Sequence, residues 1–456
     1  MVTTDDIKPS YWRGDLFWQI AALAGPLMLQ NLSQTLLGVI DTYFVSRIGT
    51  DALAAVGLGG VLYFAVTMLF RSVANSAVVF VGRAFGEQAY AKIGDDIWRC
   101  LNMVGWLSLG VVLLPAFFGW LMHFVVPAEA PQVRLLSTAY LQIRSLEIPL
   151  VMFSAVVWGF MVGRGDSRTP MALAWITVLL NMLLDWMLVL GNWGAPALGV
   201  AGAAYATVMS NGVNALLSAY ILWRRPSRLA FGTGRARLAS WAELRGVLRI
   251  GLPMGIGDFL EIASFSAFFA LMARLGTGVA AANQIALQYM SISFTLGVGI
   301  NMATSSLVAQ YLGAKQPDEA EKVGYRACLL AMICMGLIGL GYLVAPEALM
   351  GIFSDEPRVV DAGVTILTLM AFYQIFDAVG IVLAGALNGA GDTTFTMLVR
   401  SILSWGMFIP LVWVLINYAN VDVLGAWMGA LAYLGSITII YFFRFRSGRW
   451  KTIELT

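Results

Sequence analysis

Charge is what this sequence lacks most. Only 12% of its 456 residues are charged, about half the roughly 25% of a soluble globular chain. Residues for site chemistry are almost as scarce. There is one histidine, His123, and three scattered cysteines, Cys100, Cys328 and Cys334. Cys328 and Cys334 lack CxxC spacing and have no histidine nearby, which excludes a structural zinc site and a disulfide framework; the cysteines read as small buried side chains. There is no HExxH, and no GxSxG within an apolar run. A formal charge of +2 provides no basic face for nucleic acid.

What the chain does have is apolar surface. Hydrophobic residues make up 59% of it, and the mean hydropathy is +0.78. A soluble enzyme domain could not hide that much. The chain is therefore expected to be an all-α polytopic membrane protein, and at about 20 residues per span it accommodates about 12 helices. Asp5, Asp6, Lys8, Arg13 and Asp15 make the first residues too polar for a cleavable signal peptide, so the first apolar run reads as a retained helix.

Apolar stretches cover about 16–44, 52–81, 97–122, 133–161, 170–191 and 197–223, then about 246–273, 279–311, 325–346, 359–388, 394–418 and 422–443. Pro26, Pro149, Pro253 and Pro410 are expected to break helices within these runs, which lipid-embedded bundles tolerate. Basic residues concentrate on alternate connections: Arg83 and Lys92, Arg164 and Arg168, Arg224 to Arg237, Lys315 and Lys322, and Arg444 to Lys451. By the positive-inside rule both termini are cytoplasmic, and an even number of spans fits that parity.

The two halves resemble each other. "VGRGDSRTPM" at 162–171 aligns with "NGAGDTTFTM" at 388–397, and Pro26 and Pro253, Gly49 and Gly276, Gly86 and Gly313, and Arg99 and Arg326 share an offset of 227. Six spans per copy keep both copies in one orientation, a parallel repeat. The expected organisation is a first lobe over 1–223, a cytoplasmic linker over 224–243 and a second lobe over 244–456. The two GxGD copies, Gly163–Asp166 and Gly389–Asp392, fall between spans and read as tight turns. An intramembrane aspartyl protease would carry that motif within its spans.

A charge at the bilayer centre costs from about 2.5 kcal/mol upward, so intramembrane acids mark functional sites. Asp41, Glu147, Asp185, Glu261 and Asp377 lie within the expected spans. Asn181 precedes Asp185 by four residues and shares its helix face. Asp41, Asn181 and Asp185 belong to the first lobe at similar depth, which favours a joint site. Glu261 and Asp377 belong to the second, with Asp258 one turn before Glu261. Neither span carries a basic residue at that depth, so both acids are expected to lack a salt-bridge partner and to bind a proton, Na⁺ or an organic cation. Glu147 has Arg144 three residues earlier, and a local pair accounts for it. Arg71 either snorkels or pairs with an acid. Tyr43, Phe265, Tyr289 and Tyr373 are candidates to meet flat hydrophobic cations through cation–π contacts.

At these residues the chain resembles the MATE (multidrug and toxic compound extrusion) family, here the bacterial NorM and DinF types. The resemblance runs from "LAGPLMLQNLSQTLLGVIDTYFVSRIGTDALAAVGL" at 23–58, through "NMLLDWMLVLGNWGAPALGVAGAAYAT" at 181–207 and "VAAANQIALQYMSI" at 279–292, to "AFYQIFDAVGIVLAGALNGAGDT" at 371–393. It implies two six-helix bundles, alternating access, and export of cationic amphipathic compounds in exchange for H⁺ or Na⁺. It also implies a bacterial inner-membrane location, no cofactor, no enzymatic activity, and partners limited to organic cations and membrane lipid. One chain would form the complete transporter. In the DinF-type branch the coupling residues correspond to Asp41, Asn181 and Asp185, and in the NorM-type branch to Glu261 and Asp377. This sequence carries both sets, so Na⁺ could sit at either. The rival reading is a flippase for lipid-linked precursors. Such a protein would line its cavity with lysine and arginine, whereas the buried charges here are mostly acidic.

Overall fold

In a computed structural model, which describes residues 15–127, 129–418 and 423–455, the chain is all-helical. Asp5, Asp6, Lys8 and Arg13 lie outside the described residues. Each expected span has a helical counterpart. Eight are single apolar helical stretches: Thr50–Gly86, Arg168–Leu188, Trp241–Ala273, Thr277–Gly313, Pro317–Val344, Pro357–Ala390, Thr393–Asn417 and Val423–Arg446. Two more are bent pairs, Lys92–Val111 with Leu114–Val125 (49°) and Pro131–Ser145 with Ile148–Gly163 (44°). The remaining two are the helices Leu16–Ser46 and Val200–Trp223. They are long enough to span but diluted by polar residues such as Gln30, Asn31, Asp41, Asn211 and Asn214. The protein is a multi-pass membrane protein.

The helix breaks have a simple steric cause. A proline ring collides with the carbonyl four residues earlier. Pro115 and Pro149 face Val111 and Ser145 in this way, and those are the residues at which the preceding helices stop. Pro410 likewise faces Gly406, inside a π-helical turn over Ser404–Phe408 that absorbs the strain. Pro26 and Pro253, expected as breaks, instead sit inside unbroken helices. The largest boundary error is at 325, because hydropathy misses the water-facing first turns of a helix. That helix begins at Pro317, with Asp318 and Glu319 at its positive end.

By internal contacts the chain divides into two compact units. One comprises residues 29–255, and the other 256–455 together with residues preceding 29. The stretch 224–240 is fixed to the first unit. Trp98 Nε1 donates to the Thr233 carbonyl at 3.0 Å, and Asn102 Nδ2 to that of Arg237 at 2.8 Å. Gly94 lies so close to this stretch that a Cβ there would be 2.6 Å from the Phe231 carbonyl oxygen.

Within each unit the repeat extends to single backbone angles. Gly165 and Gly391 adopt φ of 87° and 91°, and Gln88 and Lys315, 227 residues apart, both adopt 57°. In both GxGD turns the amide of the aspartate reaches back to a helical carbonyl, from Asp166 to Met161 (2.8 Å) and from Asp392 to Leu387 (2.9 Å). Each aspartate then accepts from an arginine: Asp166 from Arg164 at 2.9 Å, and Asp392 from Arg444 at 2.7 Å. These are closed turns with committed carboxylates. The preceding turns carry GxxxG. A Cβ on Gly159 would be 2.8 Å from the Ala77 side chain, and one on Gly389 would be 2.2 Å from the Ser305 carbonyl oxygen. Small residues let these backbones touch, which is how helices associate where no water drives them together.

Gly389→Val is therefore expected to destabilise the fold by about 1–3 kcal/mol through overpacking. Gly336→Ala, where nothing lies within 4 Å, should leave it unchanged or slightly better. Thermal unfolding of the two variants in detergent separates these outcomes; equal melting temperatures would contradict the packing argument.

Candidate functional site

Within the first unit, four helices converge on buried polar groups. They are α1 (Leu16–Ser46), α6 (Pro131–Ser145), α8 (Arg168–Leu188) and α9 (Val200–Trp223), numbered along the chain. α1 presents Asp41, α8 presents Asn181 and Asp185 one turn apart, and α9 presents Thr207. All four residues are buried. The carboxyls of Asp41 and Asp185 lie side by side, both within reach of the Asn181 amide. With its amide nitrogen turned toward them, Asn181 donates to Asp41 Oδ1 at 2.9 Å and to Asp185 Oδ2 at 3.2 Å. Its other edge lies 3.4 Å from the Thr207 hydroxyl. Asp185 Oδ1 is buried with no hydrogen-bond partner among the described residues. The structure thus brings together the three first-lobe residues expected from sequence. Two carboxyls this close do not both stay ionised unless a cation neutralises them; otherwise one of them holds a proton.

Beside this group stands an ion pair. Arg144, at the end of α6, places Nε 2.6 Å from Oε1 of Glu147, which lies in the break after that helix. The expected local pair forms, but across a proline break, and a second helix supports it. Asn211 Nδ2 on α9 donates to Glu147 Oε2 at 3.0 Å. The guanidinium also lies 4.2 Å from the Tyr63 ring centre and donates to the Tyr140 hydroxyl at 3.1 Å. Arg71, half-buried on the same helix as Tyr63, forms no ion pair among the described residues.

The second unit corrects the expectation that Glu261 has no salt-bridge partner. Arg400, in the span Thr393–Asn417, places NH1 3.1 Å from Glu261 Oε2 and 2.7 Å from Asp258 Oδ1. The partner comes from a helix remote in sequence. A search limited to each acid's own span could not find it, although Arg400 was visible as a basic residue inside a predicted span. Asp377, buried on the helix Pro357–Ala390, lies within electrostatic reach of both Glu261 and Arg400. It makes no direct ion pair among the described residues.

The aromatic candidates disperse. Phe265 packs among Phe268, Phe269, Phe408 and Tyr433. Tyr373 is buried, 6.1 Å from Trp427 between ring centres. Tyr289 donates its hydroxyl to the Leu349 carbonyl at 2.7 Å, which ties it to a short helix, Pro346–Gly351. Tyr43 is exposed and accepts from Arg47 at 3.0 Å. Sequence reasoning singled out neither Thr207 nor Asn211. Their signal was legible: four residues apart, they put a hydroxyl and an amide on one face of an expected span.

Arg400→Gln leaves Asp258 and Glu261 facing each other without their cation. The pair is partly exposed, so the loss should fall between the ~0–1 kcal/mol of a surface pair and the ~3–5 kcal/mol of a buried one. Adding Glu261→Gln should recover part of it. Thermal melts of the single and double variants test this, and a double variant less stable than Arg400→Gln would refute it.

Comparison with known proteins agrees with the repeat and the fold. The MatE family model matches twice, over residues 26–187 and 253–414, two stretches related by the same offset of 227. A Burkholderia mallei protein named "Probable multidrug resistance protein NorM" is 32% identical over 445 residues, covering 93% of this chain and 91% of that protein. A structure described as the outward-facing conformation of a multidrug resistance MATE family transporter superposes with a TM-score of 0.87 at 21% identity, covering 98% of each chain. A transporter of the MOP superfamily from Pyrococcus furiosus, described as having a binding pocket of reverse polarity, gives 0.87 at 20% identity, again over 98% of each chain. At these identities the two structures speak to fold alone.

Proposed function

The chain belongs to the MatE family, and from that premise we propose that it is a secondary active multidrug efflux transporter. It exports cationic amphipathic compounds in exchange for H⁺ or Na⁺ by alternating access, in a bacterial inner membrane with both termini cytoplasmic. The name carried by the Burkholderia mallei relative supports multidrug efflux. The observation that carries the exchange reading is the side-by-side placement of Asp41 and Asp185 within reach of the Asn181 amide. Such a group accepts one small cation and gives it up on command.

The chemistry follows from charge. Ionised carboxylates facing the cytoplasm attract a lipophilic cation. Once the site faces outward, a proton or Na⁺ occupies the same carboxylates and weakens the hold on the substrate, which leaves. Exchange is strict only if substrate and ion do not both bind stably to the same state. A membrane potential of 100 mV adds about 2.3 kcal/mol per charge moved, so net charge movement strengthens the drive. In the second unit, Asp258 and Glu261 share the one guanidinium of Arg400, with Asp377 within electrostatic reach, which leaves negative charge there too.

Proteoliposomes loaded with ethidium should lose it under an imposed pH gradient, an imposed Na⁺ gradient, or both. Asp41→Asn and Glu261→Gln, run beside the wild type, identify the coupling unit by which of them abolishes efflux. Dye that stays put under both gradients would remove the antiport reading and turn attention to flipping of lipid-linked precursors.

A further inference from the structure

Glu147 is fully buried, lies in the middle of the chain's fourth span, and takes no part in the exchange just proposed. An acid in that position needs a reason. Its surroundings point to one. Arg144 and Glu147 do not form an isolated intrahelical pair, because the glutamate is held from two sides. Arg144 Nε meets one carboxylate oxygen at 2.6 Å and Asn211 Nδ2 the other at 3.0 Å. The guanidinium is fixed in turn by the Tyr63 and Tyr140 rings, 4.2 and 5.5 Å from their centres, and by its bond to the Tyr140 hydroxyl. Asp41 and Asp185 lie within electrostatic reach of the same guanidinium.

The local charge count is then informative. The ionisable acids are Asp41 from α1, Asp185 from α8 and Glu147 from the break after α6. The base within electrostatic reach of both aspartates is Arg144; Arg71, further along the helix Thr50–Asn75, is not among the groups that act on them. Facing them, the helix Thr50–Asn75 contributes the hydroxyls of Tyr63 and Thr67, α6 that of Tyr140, and α9 Thr207 and Asn211. None of these carries charge. Were Glu147 absent, Arg144 would be the natural counter-cation of the aspartate pair, and the pair would need no cation from outside. With Glu147 present, the positive charge is already taken.

We infer that the Arg144–Glu147 pair is a charge-setting device: Glu147 commits the guanidinium and so leaves the Asp41–Asp185 pair short of one positive charge, which the driving cation supplies. The inference rests on the antiport reading and deepens it. Glu147 touches no substrate in this account. It acts through Arg144, which tunes how tightly the neighbouring acids hold their ion. Two substitutions should then act in opposite directions. Glu147→Gln releases Arg144 to neutralise the aspartates and weakens cation binding. Arg144→Gln removes the competing charge and strengthens it. Joining both restores the balance.

The experiment measures ethidium efflux from proteoliposomes against the concentration of whichever cation, H⁺ or Na⁺, drives the wild type. In Glu147→Gln the half-saturating concentration should rise about tenfold or more, the scale of one unit charge moved near a poorly screened site. In Arg144→Gln it should fall by a similar factor, and in the double variant it should lie within about threefold of the wild type. A purely structural pair would instead lower the folded yield of both single variants, without opposite shifts. If Glu147→Gln does not fold, Arg144→Gln alone decides: a half-saturating concentration that stays level or rises overturns the inference. A wild type that responds to its cation while Glu147→Gln matches it sinks the inference and leaves antiport standing. A wild type without any cation response sinks both.

Discussion

A carboxylate out of reach of water must have its charge answered by the protein around it or by an ion that comes and goes. In hydrocarbon neither the solvent nor the lipid can help, and the penalty for an unanswered charge far exceeds what any one packing contact returns. Under this constraint five of the described acids inside the spans fall into two groups, while Asp377 stands between them, near Arg400 but without a direct ion pair. Glu147, Glu261 and Asp258 are answered by the protein, through Arg144 and Arg400. Asp41 and Asp185 are answered only in part, by one shared amide. Resident arginines mark the first group as settled. The second group is where an exchangeable cation has something to gain.

The scaffold that holds these acids is symmetric, but the acids are not. The duplicated turns repeat to within a few degrees at Gly165 and Gly391, and identically at Gln88 and Lys315. The small residues behind them, Gly159 and Gly163 in one copy and Gly385 and Gly389 in the other, let backbone meet backbone in each unit. Moving from Asp41, Asn181 and Asp185 by the repeat offset of 227 reaches no acid: the matching positions hold Phe268, Phe408 and Val412. The acids are thus additions to a duplicated frame. Each unit needed the frame to stand, whereas chemistry could be placed in either copy alone.

Much of this was legible beforehand. Span positions, the repeat and the two GxGD turns follow from hydropathy and spacing, because lipid forces backbone groups to pair within each helix and leaves length and apolarity as the main signal. The joining of Asp41 with Asn181 and Asp185 was legible as well, since an i, i+4 pair declares its face. The Arg400 contact was not. It links residues 139 and 142 positions from their partner, on helices that no local pattern connects. Proline was misread for a related reason. Pro115 and Pro149 end a helix while Pro26 and Pro253 do not, because whether a freed carbonyl is tolerated depends on neighbouring helices that sequence spacing does not specify.

The two arginine–glutamate pairs among the described residues inside the spans make different use of the same chemistry. Arg400 serves Asp258 and Glu261 together, so removing one acid still leaves it a partner. Arg144 is bound to a single glutamate, which is braced by Asn211 from another helix, while two aromatic rings enclose the guanidinium. A shared cation averages the charge of its neighbours. A committed one fixes it. A site that must bind a single cation and later release it gains from the fixed arrangement, because its appetite for charge then depends on the ion gradient alone and not on where a flexible guanidinium happens to rest. That is the physical sense in which a largely buried pair, costly to desolvate and weak as a source of stability, has a use beside the two aspartates.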